Sequence, residues 1–339
     1  MTAHAVTHPT LRDLANRMDQ DGSIAQIIEI LAQTNEVLDS MVWVEGNLPT
    51  GHRTTVRTGL PAPTWRRLYG GVQPSVSRTA QITDTVGMLE AYAEVDKALA
   101  DLNGNTGEFR LSEDRAFIEG MNQEFCRTLF YGNESTQPEA FTGLAPRFNT
   151  RSLTAAATAE HVLHGTGAPD GADQTSIWLV GWGENTVHGI YPKGSPAGLF
   201  VEDKGQVTVE NIDGSGGRME AYRTHYRWDC GLSVRDWRYV VRIANIDVGQ
   251  LTRNAATGSD LIDLMTQALE LIPIPSQARL AFYCNRTVRS FLRRQIANRV
   301  AASTLTVEEV AGRRVVFFSE APVYRVDAIL STEAIVPAV

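Results

Sequence analysis

LSEDRAFIEGMNQEFCRTLFYG, residues 111–132, reads as one long helix. Ser112 is placed to cap it, and Glu113 and Asp114 fall in the first turn, where carboxylates complement the free N–H groups. Phe117, Met121, Phe125 and Leu129 recur every fourth residue as one apolar stripe, with Glu119, Asn122, Gln123 and Glu124 between them. Arg127 lies near the C-terminal end, and Gly132 is positioned to stop the helix in a left-handed turn. The helix carries no catalytic set, so it reads as scaffold, buried on one side and wet or docked on the other.

Working outward, the flanks differ sharply in charge. Residues 46–85 are punctuated by Gly46, Pro49, Gly51, Gly59, Pro61, Pro63, Gly70, Gly71 and Pro74, with β-rich pieces such as residues 54–58 between them. Such a segment has no core of its own and predicts an extended hairpin projecting from the body. It holds Arg53, Arg57, Arg66, Arg67 and Arg78 against the single acid Asp84, a net of +4. Residues 87–124 invert that balance to −6: Glu90, Glu94, Asp96, Asp101, Glu108, Glu113, Asp114, Glu119 and Glu124 face only Lys97, Arg110 and Arg115. A basic arm beside an acidic helical region predicts that the arm of one copy lies on the acids of another; two solvated faces of one monomer give the same pattern.

The whole chain sets outer bounds. Its 339 residues suit one large or two intertwined domains, and a net charge of −8 argues against a surface devoted to nucleic acid. Lysine occurs only at 97, 193 and 204, so the cations are nearly all arginine, a residue suited to protein interfaces, although coding bias yields the same composition. Cys126, Cys230 and Cys284 are few and far apart, which predicts reduced thiols in a cytoplasmic compartment, with no zinc site or disulfide framework. Neither a signal peptide nor a membrane-length apolar run is present.

Along the rest of the chain, residues 1–20 read as a polar arm. A capping box at Ser23–Gln26 opens a helix with Ile24, Ile27, Ile28, Leu31 and Leu38 on one face, and a strand follows at 41–44. Residues 152–230 mix short strands, at 176–182 and 206–209, with Gly-rich turns; Leu232–Ile246 reads as one alternating strand. Helices are expected at 258–272, capped by Ser259, and at 287–300, and strands at 280–283, 314–319 and 323–330. The fold class is mixed α+β.

Candidate chemistry is sparse. Gly181-Trp182-Gly183 lacks the third glycine of a dinucleotide fingerprint, and Gly214-Ser215-Gly216 is a near miss of a nucleophile elbow, so both read as turns. His161 and His164 sit at i, i+3, near what reads as a helix end, and are expected to be a surface pair; His188 and His225 are isolated, and Glu308-Glu309 is a solvated acidic pair. Arg286, Arg289, Arg293, Arg294 and Arg299 decorate one helix, suited to an exposed face, a subunit contact or phosphates. No catalytic, metal or cofactor site is expected.

The order of parts, with the stretches LANRMDQDGSIAQIIEILAQTNEVLDSMVWVEGNLPTGHRTTVRTGLP, WRRLYGGVQPS and LNGNTGEFRLSEDRAFIEGMNQEFCRTLFYGN, resembles the major capsid proteins of tailed double-stranded DNA bacteriophages. These have the Hong Kong 97 (HK97-like) capsid fold, and the resemblance is strongest to the epsilon-fifteen-like podophage group, over residues 11–145. It implies an N-terminal arm and first helix and strand (1–45), an extended loop overlapping a neighbour (46–85), a peripheral domain with spine helix 111–132 (86–150), an axial domain (151–310), and closing strands returning to the peripheral domain (311–339).

By that resemblance the chain self-assembles into hexamers and pentamers of an icosahedral head around double-stranded DNA, without sequence-specific DNA contact and without a membrane. Assembly is expected in the host bacterial cytoplasm, with a portal, a decoration protein and a separate scaffolding protein as partners, since only about twenty residues precede the first helix. The loop lacks the lysine that some relatives use for cross-linking. Intersubunit contacts are expected at Arg53, Arg57, Arg66, Arg67 and Arg78 on the loop, and at Glu90, Glu94, Asp96, Asp101, Glu113, Asp114 and Glu119 opposite. Two alternatives stay open: an α+β enzyme with its site scattered around His161, His188 and Asp229, and a DNA-binding protein using the arginine helix.

Overall fold

In the computed structural model, which describes residues 35–102, 106–165, 173–210, 217–251, 260–298, 305–310 and 313–338, helix α2 spans Thr106–Tyr131, after a one-turn helix α1 (Lys97–Ala100). The helix starts five residues before the sequence suggests, so Ser112 lies inside it and is not its cap. The cause is Phe109, which extends the apolar stripe by two turns and is buried with Val95, Leu99 and Ala100, with Tyr222 packed alongside. At the other end Gly132 stops the helix, though without left-handed backbone. A Cβ there would lie 2.5 Å from Phe141 O and 2.6 Å from Thr128 O, so only glycine fits.

Among the described residues, thirteen strands accompany the helices: β1 (Trp43–Glu45), β2 (Gly51–Gly59), β3 (Arg78–Asp96), β4 (Val162–His164), β5 (Gln174–Trp182), β6 (Val187–Tyr191), β7 (Phe200–Glu210), β8 (Arg218–Val234), β9 (Val240–Asp247), β10 (Arg279–Cys284), β11 (Leu305–Val310), β12 (Arg313–Phe318) and β13 (Ala321–Arg325). Two further helices are α3 (Leu261–Glu270) and α4 (Arg286–Asn298). The chain forms two compact units. One takes in Met88–Phe125 and Gly198–Asp229, and the other Thr34–Gly87, Cys126–Ala197 and Cys230–Val339, so the expected axial span 151–310 is divided between them. The elements β3, α2 and β8 each run from one unit into the other.

In the first unit, Leu89, Ala91, Ala93 and Val95 of β3 alternate with the more polar Met88, Glu90, Tyr92 and Glu94. β7 pairs antiparallel with β8, slipping at Asp203/Gly205. The stripe of α2 meets β8 through aromatic rings: Phe117 lies parallel to Tyr226 with centroids 6.2 Å apart, and Phe125 stacks on Trp228 at 4.4 Å.

The second unit is built around β5, whose nine residues are all buried. It pairs antiparallel with β9 and β10, and β10 pairs parallel with β13. A strand covered on both faces loses the polar–apolar alternation, which is why QTSIWLVGW reads as a continuous apolar run. Trp178, Trp182, Phe130, Phe148, Tyr283, Phe282 and Phe318 fill this core. Tyr283 sits between Ser40 and the Trp182 indole N–H, which donates to it at 2.7 Å.

Several expectations need correction. Leu232–Ile246 is not one strand: β8 ends at Val234, and Asp236 caps a 3-10 turn at Trp237–Tyr239 by accepting from the Arg238 N–H, before β9 begins. Asp260, not Ser259, caps α3, its carboxylate accepting from the Ile262 and Asp263 N–H groups. The last strand stops at Arg325, where the guanidinium turns to Asp327, short of Leu330. The start of the first helix, with its Ser23 box, and Gly214-Ser215-Gly216 lie outside the described residues, while residues 36–40, expected as the end of that helix with Leu38 on its face, form turns. No helix among the described residues is long and apolar enough to cross a membrane.

Candidate interaction surfaces

The basic segment does form a hairpin. β2 pairs antiparallel with β3 from Gly51↔Thr85 to Arg57↔Thr79, slipping between Arg57 and Gly59. Beyond it, residues 60–77 contain no strand, because Pro61, Pro63 and Pro74 bring no N–H to a ladder. The tip turns at Arg67–Gly70, closed by Gly70 N–H donating to Arg67 O at 3.1 Å, with Tyr69 at φ +61°. Trp65 and Tyr69 are fully exposed, and Leu60, Leu68 and Val76 nearly so. Such a row of large apolar side chains in water marks a surface that another body covers.

Among the five arginines, Arg53 braces the hairpin: its Nε donates to Thr83 Oγ1 at 3.2 Å, and its backbone meets both ends of the Asn47 amide. Arg57, Arg66, Arg67 and Arg78 are exposed and make no ion pair among the described residues.

The hairpin's base is buried. Asp84 accepts from Arg147 Nη2 and from Ser233 Oγ, each at 2.8 Å. A Cβ on Gly51 would lie 2.1 Å from Asp84 O, so the strands close here only on glycine. Beside this pair the His52 and His188 rings meet edge to face, centroids 5.6 Å apart. Burial, then His52, hold the pKa of His188 down to about 4, with Arg235 lowering it further and Asp84 opposing. The folded value lies below the ordinary 6.5, so the unfolded chain takes up the proton first as pH falls. Stability is therefore full above pH 6.5 and withdrawn towards pH 4, by about 3 kcal/mol from this group. Urea denaturation of the free subunit at several pH values is expected to show that loss, and His188→Leu to make it shallower. An unchanged slope in the variant would remove His188 as its source.

The acids opposite lie in the first unit, several of them already engaged. Glu94 accepts from Arg223 Nε at 2.6 Å, and Glu90 meets His225 Nε2 at 3.3 Å and Arg227 Nε at 3.6 Å. Asp96 caps α1 through the Ala98 N–H, and Asp101 accepts from Thr106 Oγ1 at 2.9 Å and Tyr222 OH at 3.3 Å. On α2, Glu119 accepts from Gln123 Nε2 at 2.8 Å, burial and then Asp114 raise the Tyr226 pKa, and Glu113 is half-buried. The sequence does not reveal the roles of Arg223 and Arg227, or of Arg110, which pairs with Asp203 at 2.7 Å. Local charge counting does not reach partners so distant along the chain.

The histidines do not form a site. His161 is buried at the end of a 3-10 turn, its Nδ1–H donating to Val240 O at 3.2 Å and its ring edge-on to Trp237. Because β4 follows at once, it and His164 share no helix face, and the expected surface pair is overturned. Asp229 accepts from Arg227 Nε through both oxygens, at 3.0 and 3.1 Å. Cys126, Cys230 and Cys284 are buried, and burial pushes the Cys284 thiol up to about 12. Among the described residues no group of three His, Cys, Asp or Glu is placed to hold a metal ion. The scattered-enzyme alternative has no support.

Residues 19–337 match the family model described as Major capsid protein GP7. Among solved structures, the chain is similar to that of bacteriophage Epsilon15, at 38% identity and TM-score 0.80, covering 99% of each chain. The bacteriophage JBD30 capsid matches at 11% identity and TM-score 0.48, over 90% of this chain and 95% of that one. The SrpI encapsulin of Synechococcus elongatus matches at 14% identity and TM-score 0.44, over 71% and 98%. No curated protein sequence matches.

Proposed function

We propose, from the premise that the chain belongs to the major capsid protein GP7 family, that its copies close as hexamers and pentamers into an icosahedral head around double-stranded DNA. The chain is a phage major capsid protein with the HK97-like fold, a component of the virion shell built from many copies of itself. The alternative of a dedicated DNA-binding protein has no support. The observation behind the reading is the match to Epsilon15 over both full chains. The role proposed is structural and not enzymatic. Assembly is proposed in the host cytoplasm, with a separate scaffolding protein, a portal and a decoration protein as partners.

In this reading residues 46–85 are the extended loop that lies on a neighbouring subunit. The peripheral domain is proposed at residues 86–150 with the spine helix at 111–132, the axial domain at 151–310, and the closing strands at 311–339 as returning to the peripheral domain. Two features support the loop's role: its apolar tip has no cover of its own, and Arg57, Arg66, Arg67 and Arg78 point charge into solvent. The proposed counter-surface holds Glu90, Glu94, Asp96, Asp101, Glu113, Asp114 and Glu119. Since Arg223 and Arg227 already meet Glu94 and Glu90, the charges steer and register the loop, and the tip supplies most of the affinity.

The test is Arg57→Glu/Arg66→Glu/Arg67→Glu/Arg78→Glu, produced with the scaffolding partner and viewed by negative-stain microscopy. Folded subunits with few closed shells are expected. Shells in normal number would sink the electrostatic registration.

A further inference from the structure

The arginine face of α4 has no role in the surfaces described so far. Arg286, Arg289, Ser290, Arg293 and Arg294 recur at i, i+3, i+4, i+7 and i+8, one stripe along the helix, while Val288 and Leu292 are fully buried. With Arg325, from the end of β13, they line an open groove of about 400 Å³. Among the described residues, two carboxylates answer these five guanidiniums. Glu36 lies 3.4 Å from Arg289 Nη1, and Asp327 is forked by Arg325. Among the described residues the rest of the positive charge is unanswered: Arg289 Nε is buried with no hydrogen-bond partner, and the side chains of Arg286 and Arg293 make no ion pair or hydrogen bond. Arg294 is aligned along the groove, donating to Ser290 Oγ at 3.2 Å with its guanidinium 4.7 Å from the Phe291 ring centroid.

We propose that this groove grips backbone phosphates of duplex DNA without reading its sequence. Guanidinium forks match phosphate oxygens, and arginines crowded into one concavity repel one another until an anion enters. From Arg286 to Arg294 the helix rises about 12 Å. A duplex presents about one phosphate per 3.4 Å of axis on each strand, so the stripe spans about three. The carboxylates at the groove among the described residues engage Arg289 and Arg325, one each, which leaves a linear array of charge, the pattern a nucleic-acid backbone repeats. The proposal rests on the capsid reading for the presence of DNA, but its test does not.

The test uses the full-length unassembled chain and a fluorescein-labelled 20-bp duplex, with anisotropy measured from 50 to 200 mM NaCl. Arg286→Ala/Arg293→Ala/Arg294→Ala is expected to weaken binding about tenfold or more at the lowest salt, and to flatten the slope of log K against log salt by about 2–3. Arg66→Ala/Arg67→Ala, on the hairpin, is expected to bind as the unaltered chain does. Inorganic tripolyphosphate should compete only weakly, and polyglutamate less. Unchanged binding in the triple variant, an equal loss in the hairpin variant, or tripolyphosphate or polyglutamate outcompeting DNA would each overturn the proposal. Microscopy separates the two readings. Normal shells from a triple variant that has lost DNA affinity support the groove, whereas an unaltered chain that never forms shells condemns the capsid reading whatever the DNA result.

Discussion

Arg242→Met is expected to destabilise the free subunit by about 3–5 kcal/mol, the cost of stranding a buried charge. The guanidinium and the Glu333 carboxylate are each about 95% buried and meet at 2.8 Å. Arg242 also donates from Nε to Ser176 Oγ at 3.1 Å and from Nη1 to Phe148 O at 2.9 Å, and lies 4.9 Å from the Trp178 ring centroid. Glu333 in turn accepts from Tyr131 OH and Ser176 Oγ. One ion pair thus ties β9 and β5 to the end of α2 and to the C-terminal segment. Removing the arginine leaves a buried carboxylate without its paired counter-charge. Arg242→Met/Glu333→Leu, which deletes both charges, should recover at least half of the loss. Chemical denaturation of the two variants decides it: a single variant within about 1 kcal/mol of the unaltered chain would mean that the network does not hold the core.

The second large effect falls on assembly and leaves the fold alone. Trp65→Ala/Tyr69→Ser removes side chains that touch only solvent in the free subunit, so its stability should move by no more than about 0.5 kcal/mol. In the proposed shell, the same side chains anchor each loop on its neighbour. An aromatic anchor is worth about 2 kcal/mol or more per contact, roughly thirtyfold in affinity, and the loss recurs at every loop. Sedimentation is expected to show unassembled subunits where the unaltered chain gives shells. Shells of normal yield and stability would mean that the tip docks nowhere.

Features set by short-range pattern are legible in the amino-acid sequence alone. The i+4 stripe of α2 and the amphipathic faces of α3 and α4 each lie within one element, and the Gly and Pro punctuation around residues 46–84 within one hairpin. β3 also carries a local signal, masked by its density of acids: the alternation of Met88, Glu90, Tyr92 and Glu94 with Leu89, Ala91, Ala93 and Val95 marks a half-buried strand. Other features depend on partners far along the chain. The burial of His161 comes from β9 and Trp237, and the role of Gly132 from the carbonyl of Phe141. Neutralisation of Glu90 and Glu94 comes from β8. For the interaction surfaces, the hairpin arginines are visible as charge, but which of them are free, and that the tip is apolar and uncovered, emerge only from the fold.

The pairing of Phe117 with Tyr226 and of Phe125 with Trp228 has a further consequence during synthesis. When α2 leaves the ribosome, the rings that will cover its stripe are still about a hundred residues from being made, some 5–20 seconds of translation. The first unit cannot close until residue 229 has emerged, and the second, threaded before and after it, must wait longer still. A nascent subunit therefore spends seconds with its aromatic stripe and its hairpin tip in water at once. A chaperone that shields apolar segments would meet this chain at the stage when both are bare.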